Sequence, residues 1–232
     1  MRQLLSRLED EATGRLKLEA LHVAVPPERL EQARGAAATL ALGEKFPWAG
    51  GTQPMTADLV EQVLNRNWRP TLSVTAADGL PPLVSGGNVL RPFTAVKLSI
   101  RLPPGVEPKA ALEAVKRTLE SDPPYGARVT FEGEKSAAGW NAPELAPWLG
   151  AAVERASQGA FGQPYRAMGE GGTIPFMAML GERFPEAQFL ITGVLGPGSN
   201  AHGPNEFLHI PTGKKLTAAV ASVLADHFAR AR

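Results

Sequence analysis

"NVLRPFTAVKLSIRLPPGVEPKAALEAVKRTLESD", residues 88–122, changes its period midway. Up to Leu102 apolar and polar residues alternate, as in a half-buried strand, whereas from Pro108 onward Leu112, Val115 and Leu119 recur at the spacing of an amphipathic helix. Pro108 stands where a helix tolerates proline, in its first turn, and Pro92 marks a bend, a bulge or a sheet edge. Just upstream, "RPTLSVTA" (69–76) alternates in the same way and is separated from the first strand by the turn-rich "ADGLPPLVSGG". Downstream, "ARVTFEGE" (127–134) reads as a third strand returning beside the others. The predicted unit is α+β.

Two further helices precede this unit. One follows Pro26-Pro27 through "ERLEQARGAAATLAL", and the other, "ADLVEQVLNRN", has Thr56 as its expected N-cap. Leu4, Leu5 and Leu8 recur at helical spacing directly behind Met1 with no capping residue ahead of them, so the chain is expected to begin inside an element. Beyond "KSAAGWNAP" the order becomes regular: helix 143–158, strand "PYRAM", helix "TIPFMAMLGERF", strand "AQFLITGVL", a polar loop, and the closing helix "TGKKLTAAVASVLADHFARAR". Such alternation predicts a mostly parallel sheet with helices on its faces. The domain boundary is placed at residues 137/138.

Composition narrows the function classes. Lys and Arg number 24 against 23 acidic residues, so no net field draws the protein onto phosphate backbones or anionic lipid, and nucleic acid is not an expected partner. The absence of cysteine removes disulfides and thiolate ligands together; any metal must be held by His, Asp or Glu, and a cytoplasmic location is expected. No stretch approaches the ~20 apolar residues of a membrane helix, and "MRQLLSRLEDEATG" lacks the apolar core of a signal peptide.

Three places could carry chemistry. "GEGGTIP" (169–175) lies between a predicted strand and a helix: its glycines either open backbone N–H groups to a bound carboxylate or simply make a tight turn capped by Thr173. No Lys-Ser or Lys-Thr pair follows at P-loop spacing. In "GPGSNAHGPNE" (196–206), His202 follows the last predicted strand, where α/β proteins bind ligands; it is either a metal or substrate residue or a turn histidine bonded to backbone. Glu206, four residues on, either orients that imidazole or belongs to the first turn of the next helix. Arg101 near a strand end offers a planar fork to a carboxylate or is an exposed strand-face residue, and Asn88 offers an amide to substrate or serves its turn. His22, His209 and His227 are read as structural or solvated.

Taken in order, "NVLRPFTAVKLSIRLPPG", "GEGGTIP" and "GPGSNAHGPNE", with "LNRNWRPTLSVTAADG" before them, resemble the two-zinc metallopeptidase family of carnosine dipeptidase, aminoacylase and succinyl-diaminopimelate desuccinylase. The resemblance implies an antiparallel-sheet lid with helices at residues 1–137, N-terminally incomplete and pairing with a second subunit as a homodimer. It implies the C-terminal part of a mostly parallel α/β catalytic domain at 138–232. By the same resemblance His202 is the last zinc ligand, Arg101 and Asn88 are lid residues reaching substrate, and Gly171, Gly172 and Thr173 hold the carboxylate of a peptide or N-acyl amino acid. Dipeptidase relatives often carry a basic residue where this chain has Gly169.

The family takes its first zinc on a His-x-Asp pair and its base and a ligand from adjacent glutamates. Here the histidines precede Val23-Ala24, Gly203-Pro204, Ile210-Pro211 and Phe228-Ala229, and no Glu-Glu pair occurs. The expectation is therefore a truncated fragment of a zinc-dependent peptidase or amidohydrolase that binds zinc weakly or not at all and is inactive alone. The alternative is a non-catalytic dimerisation or carboxylate-binding module derived from the family.

Overall fold

The computed structural model describes residues 1–40, 48–133, 135–170 and 175–230. Its only ladder among these residues joins β1 (Thr71–Asp78) to β2 (Ala95–Arg101), antiparallel, from Thr71 opposite Arg101 to Asp78 opposite Ala95. The register shifts between Val74 and Ala76, where Thr75 bulges out and its hydroxyl donates to the Lys97 carbonyl at 3.3 Å. The predicted strand at 88–104 thus shortens to seven residues, with Pro92 in a bend before it.

Two helices pack against this ladder. α1 (Arg2–Leu8) and α4 (Pro108–Glu120) enclose a core of Leu8, Leu16, Leu21, Val106, Ala111, Val115 and Leu119, closed by Leu72, Leu98 and Ile100 from the sheet. α4 starts where the sequence places Pro108, and Glu107 supplies its cap: the carboxylate accepts from Lys109 N at 3.1 Å and Ala110 N at 2.5 Å. Its buried positions 111, 115 and 119 are four apart, one stripe of the helix. Arg7 closes the other end, donating to the carbonyls of Thr118 (3.1 Å), Ser121 (2.6 Å) and Asp122 (2.6 Å), which no helical N–H can reach.

α2 (Pro27–Leu40) and α3 (Leu59–Asn67) form a second core. Ala33, Ala36 and Ala37 present a small-residue face to Val63, Leu64 and Trp68, letting the two helices approach closely. The N-cap of α3 is Asp58, not Thr56: its carboxylate accepts from Val60 N (2.8 Å) and Glu61 N (3.3 Å). A full negative charge at the positive end of the helix dipole outdoes the hydroxyl. Thr56 instead accepts the Asp58 N–H one step earlier, at 3.1 Å.

The C-terminal region departs further from expectation. α5 (Pro147–Phe161), α6 (Pro175–Arg183) and α7 (Ile210–Arg230) are all present; α5 ends on Gly162 in the left-handed region, and α5 packs on α7 through Leu149, Ala152, Ala156 and Val223. The predicted strands do not pair. Residues 127–133, 164–168 and 187–195 form no ladder, so the expected mostly parallel sheet is absent among the described residues, and the third strand of the N-terminal unit is absent too. Side chains take up part of the ladder role in two of them: Glu120 accepts the Phe131 N–H at 2.8 Å and Glu154 the Tyr165 N–H at 3.2 Å, while the Gln188 side chain accepts the Ala146 N–H ahead of α5 at 2.6 Å. A strand's hydrogen bonds lie with its neighbours, and these segments have no neighbouring strand within the described chain. The architecture is mixed: helices around one small antiparallel sheet.

Candidate functional site

A cleft of about 2950 Å³ runs between the two regions. Its walls include Lys97, Ser99 and Arg101 on β2, Asn67 at the end of α3, Gly169 and Glu170 ahead of α6, Thr192 and Gly193, and Leu216 and Val220 of α7. Ligand pockets for small molecules usually measure ~300–1,000 Å³, so this groove is too large for a substrate alone.

Three contacts hold the α2–α3 pair to the far side of the seam. Arg29 of α2 donates to Asn141 Oδ1 at 2.9 Å and to the Ala142 carbonyl. Gly35 faces Arg166, whose Cδ lies 3.2 Å from where a Cβ at 35 would sit. Asn67 Nδ2 donates to the Gly169 carbonyl at 3.2 Å. All three bridge segments more than a hundred residues apart, so the cleft's shape is a tertiary property that local pattern does not announce.

The structure brings together some of the sequence-picked residues. Arg101, exposed at the last position of β2, and Gly169, the first residue of "GEGGTIP", line the same cleft. Gly171, Gly172 and Thr173 lie outside the described residues. Asn88 is exposed in the loop before β2 and does not line the cleft. His202 does not line it either.

His202 is exposed on a tightly folded loop. Asn200, His202 and Asn205 all have positive φ (56°, 61° and 59°), a conformation that Asn and His adopt more readily than other non-glycine residues. The loop is held by its own bonds: Gly203 N to Asn200 O at 2.9 Å, Asn200 Nδ2 to Pro204 O at 2.5 Å, and Phe207 N to Ser199 O at 3.1 Å. Ser199 is buried beneath it, its hydroxyl donating to the Gly196 carbonyl at 2.5 Å. Glu206 Oε2 accepts the His202 backbone N–H at 3.2 Å, so Glu206 orients the main chain that carries the imidazole, four residues ahead of α7.

The remaining histidines have structural partners. His22 Nε2 pairs with the Leu16 carbonyl at 2.8 Å, His209 Nδ1 with Thr212 Oγ1 at 2.8 Å at the start of α7, and the His227 ring lies 5.1 Å from that of Trp148. Among the described residues no three His, Asp or Glu side chains cluster closely enough to hold a metal ion. A zinc centre takes about four donors, three or more of them from protein, so His202 and its surroundings do not by themselves fit one.

The cleft residue that sequence reading missed is Asn67. It lies in "LNRNWRPTLSVTAADG", a stretch given no site role of its own, and its contact with Gly169 spans 102 positions.

Comparison with known proteins adds a family-level result. The sequence profile of Peptidase family M20/M25/M40 matches residues 10–226. The chain is 31% identical over 145 residues to cysteinylglycine-S-conjugate dipeptidase of Corynebacterium striatum, a match covering 60% of this chain and 30% of that protein. Its fold matches the crystal structure of human carnosine dipeptidase 1 (TM-score 0.67, 21% identity), covering 96% of this chain and 48% of that one. It also matches an M20 family metallo-carboxypeptidase from Sulfolobus solfataricus (TM-score 0.68, 19% identity), covering 96% and 50%. The chain therefore spans about half the length of these solved structures and less than a third of the curated relative.

Proposed function

The chain belongs to peptidase family M20/M25/M40, a generally metal-dependent family, and from that membership we propose that it is the lid and C-terminal catalytic portion of a zinc-dependent peptidase or amidohydrolase. In this reading residues 1–137 are the lid and 138–232 the catalytic portion. The substrate is a dipeptide or N-acyl amino acid with a free carboxylate. Support for a dipeptide comes from the Corynebacterium and human relatives, both described as dipeptidases.

The observation that carries this reading is the shared cleft: Arg101 and Gly169 line one groove, although 68 positions separate them. Arginine's planar fork suits a carboxylate, and Gly171, Gly172 and Thr173 are proposed as its further partners on the strength of the "GEGGTIP" motif. Asn88 is proposed to offer an amide from the lid, and His202 one imidazole to a metal, on a loop braced by Glu206. The open edges of the two-stranded ladder and its apolar loop (Leu83, Val84 and Leu90 fully exposed) are the proposed homodimer surface.

Hydrolysis by the family's two-metal chemistry needs fixed ligands on both ions and a base for the attacking water. These 232 residues contain neither a His-x-Asp nor a Glu-Glu pair, so no hydrolytic step is assigned to them alone. The second reading, a carboxylate-binding module without catalysis, shares the cleft and differs only in what completes it.

Zinc content and turnover of a dipeptide and an N-acyl amino acid test this directly. The unaided chain is expected to retain far less than one zinc and to turn over neither compound. Addition of a polypeptide carrying the family's His-x-Asp and Glu-Glu segments is expected to produce both metal binding and hydrolysis. Stoichiometric zinc with turnover by the unaided chain overturns the proposal, and carboxylate binding with no turnover even in the completed assembly selects the module reading.

A further inference from the structure

A net charge of +1 conceals an uneven distribution. Among the described residues, eight lysines and arginines line the cleft against two acids, Glu132 and Glu170. Strand-like alternation gathers part of that charge: Leu98 and Ile100 face the core and leave Lys97 and Arg101 exposed, while Val129 and Phe131 pack on the same core and leave Arg128 exposed. Arg29 and Arg69 have polar partners of their own, in Asn141 and Glu61. Arg66, Lys97, Arg128 and Lys135 are exposed and form no ion pair among the described residues. Cations gathered in a groove raise its potential and draw in an anionic occupant.

The other wall identifies what kind of anion. It includes residues 189–193 and Leu195, from a run, 187–195, that carries no charged side chain. Residues 190–195 are exposed, and no backbone N–H or carbonyl of 189–195 is hydrogen-bonded among the described residues. An uncharged run of this kind has the composition of a strand covered on both faces, and its open backbone is satisfied by another strand. A nucleic-acid backbone has no N–H to offer its carbonyls. The matched solved structures, of which this chain covers 48% and 50%, place about as much polypeptide again beside the same fold.

We propose that the groove docks an acidic polypeptide segment, which adds a β-strand to residues 189–195 and sets its carboxylates against Lys97, Arg128 and the cations beside them. Identifying that segment with the polypeptide that completes the peptidase rests on the function proposed above. The docking chemistry itself rests on the groove.

The probe is the peptide acetyl-Glu-Val-Glu-Thr-Glu-Val-Glu-Thr-Glu-amide, whose carboxylates share one face when it is extended. Titrated into the isotopically labelled 232-residue chain, it is expected to shift the backbone amide signals of 189–195. It should bind about tenfold more tightly than the same peptide with lysine for glutamate, and less tightly as salt is added. Methylating alternate backbone nitrogens of the probe removes the donors of a strand and should weaken binding to the wild type about tenfold, a test that needs no variant to fold. Lys97→Glu combined with Arg128→Glu, both at exposed positions, should weaken the unmethylated probe about tenfold and flatten its salt dependence. Equal binding of the acidic and basic peptides, no effect of methylation, or unmoved amides at 189–195 overturns the inference. So does an oligothymidylate of equal charge that binds as tightly and moves the same amides. Hydrolysis is not read in this experiment: a chain that docks the peptide yet stays inactive when completed loses the peptidase reading and keeps this one.

Discussion

Residues 1–133 and residues 139–230 obey the same rules and reach different ends. In the first region each amphipathic face meets another from the same chain: Leu8, Leu21 and Leu64 are at most 1% exposed, and the ladder, α1 and α4 share one core. In the second, among the described residues, only Leu149, Ala152, Ala156 and Val223 are buried together, while Ile191 and Leu195 remain 58% and 67% exposed along a segment patterned as a strand. The contrast teaches that an apolar run specifies burial without supplying the surface that buries it. Helices satisfy their own backbone and form in both regions; strands borrow that satisfaction from neighbours.

Truncating one side chain in each region should give the largest contrast. Leu64→Ala, in the α2–α3 core, is expected to cost about 2–5 kcal/mol, because the cavity left between two tightly packed helices cannot collapse. Ile191→Ala is expected to cost under about 0.5 kcal/mol, the usual figure for a surface change. Urea unfolding of both variants measures this. Comparable losses would mean that residues 187–195 are buried in solution, by self-association or otherwise, and the contrast between the regions would collapse.

A paired glycine experiment sharpens the same comparison. Gly79, after β1, and Gly162, after α5, both have positive φ, +78° and +68°. Their surroundings differ: a Cβ at 79 collides with the Phe93 carbonyl across the loop, whereas at 162 nothing lies within 4 Å. Gly162→Ala should cost only the left-handed penalty, about 1 kcal/mol, and Gly79→Ala about 3 kcal/mol once the backbone has to shift. Equal costs would place residues 79 and 93 farther apart in solution.

Arginines give a third pair. Arg7, half-buried, donates to three carbonyls at the end of α4, and Arg7→Met is expected to cost about 2 kcal/mol by stranding them. Arg155 pairs with Asp226 at 2.7 Å between α5 and α7, yet its side chain is 62% exposed, so Arg155→Met should change stability by less than about 1 kcal/mol. If thermal melts ranked them the other way, the α5–α7 packing would depend on that ion pair more than on its small apolar core.

The same division explains what the sequence disclosed. Pro108 and the 3.6-residue recurrence after it located α4 because a helix's start signal and buried stripe are both local. "AQFLITGVL" was legible as an apolar run, but its pairing depends on a partner that a pattern does not name. Of the candidate residues, Arg101, which lines the cleft, was found by residue type and place on a strand, and His202, which does not, by its loop. Asn67 fell inside a quoted motif but was not singled out, since what makes it notable is a bond to Gly169 that no local pattern marks.

The smallest expected effect concerns charge at the start of α4. The backbone N–H groups of Ala110 first and Lys109 second hold the Glu107 carboxyl below its ordinary value, with the Lys109 charge adding to them. A depressed folded-state pKa adds stability that is complete above the ordinary glutamate value and is lost as pH falls through the depressed one. Glu107→Gln keeps an oxygen at the cap but no titratable charge, so its deficit relative to wild type should be largest near neutrality and should fade in acid. Denaturant midpoints of the two proteins at neutral and acid pH report that difference. A gap that stays constant across the range would mean that Glu107 caps α4 through oxygen geometry alone; a gap that closes ties part of the better-packed region's stability to an exposed charge, and sets an acid limit on the advantage it holds over residues 139–230.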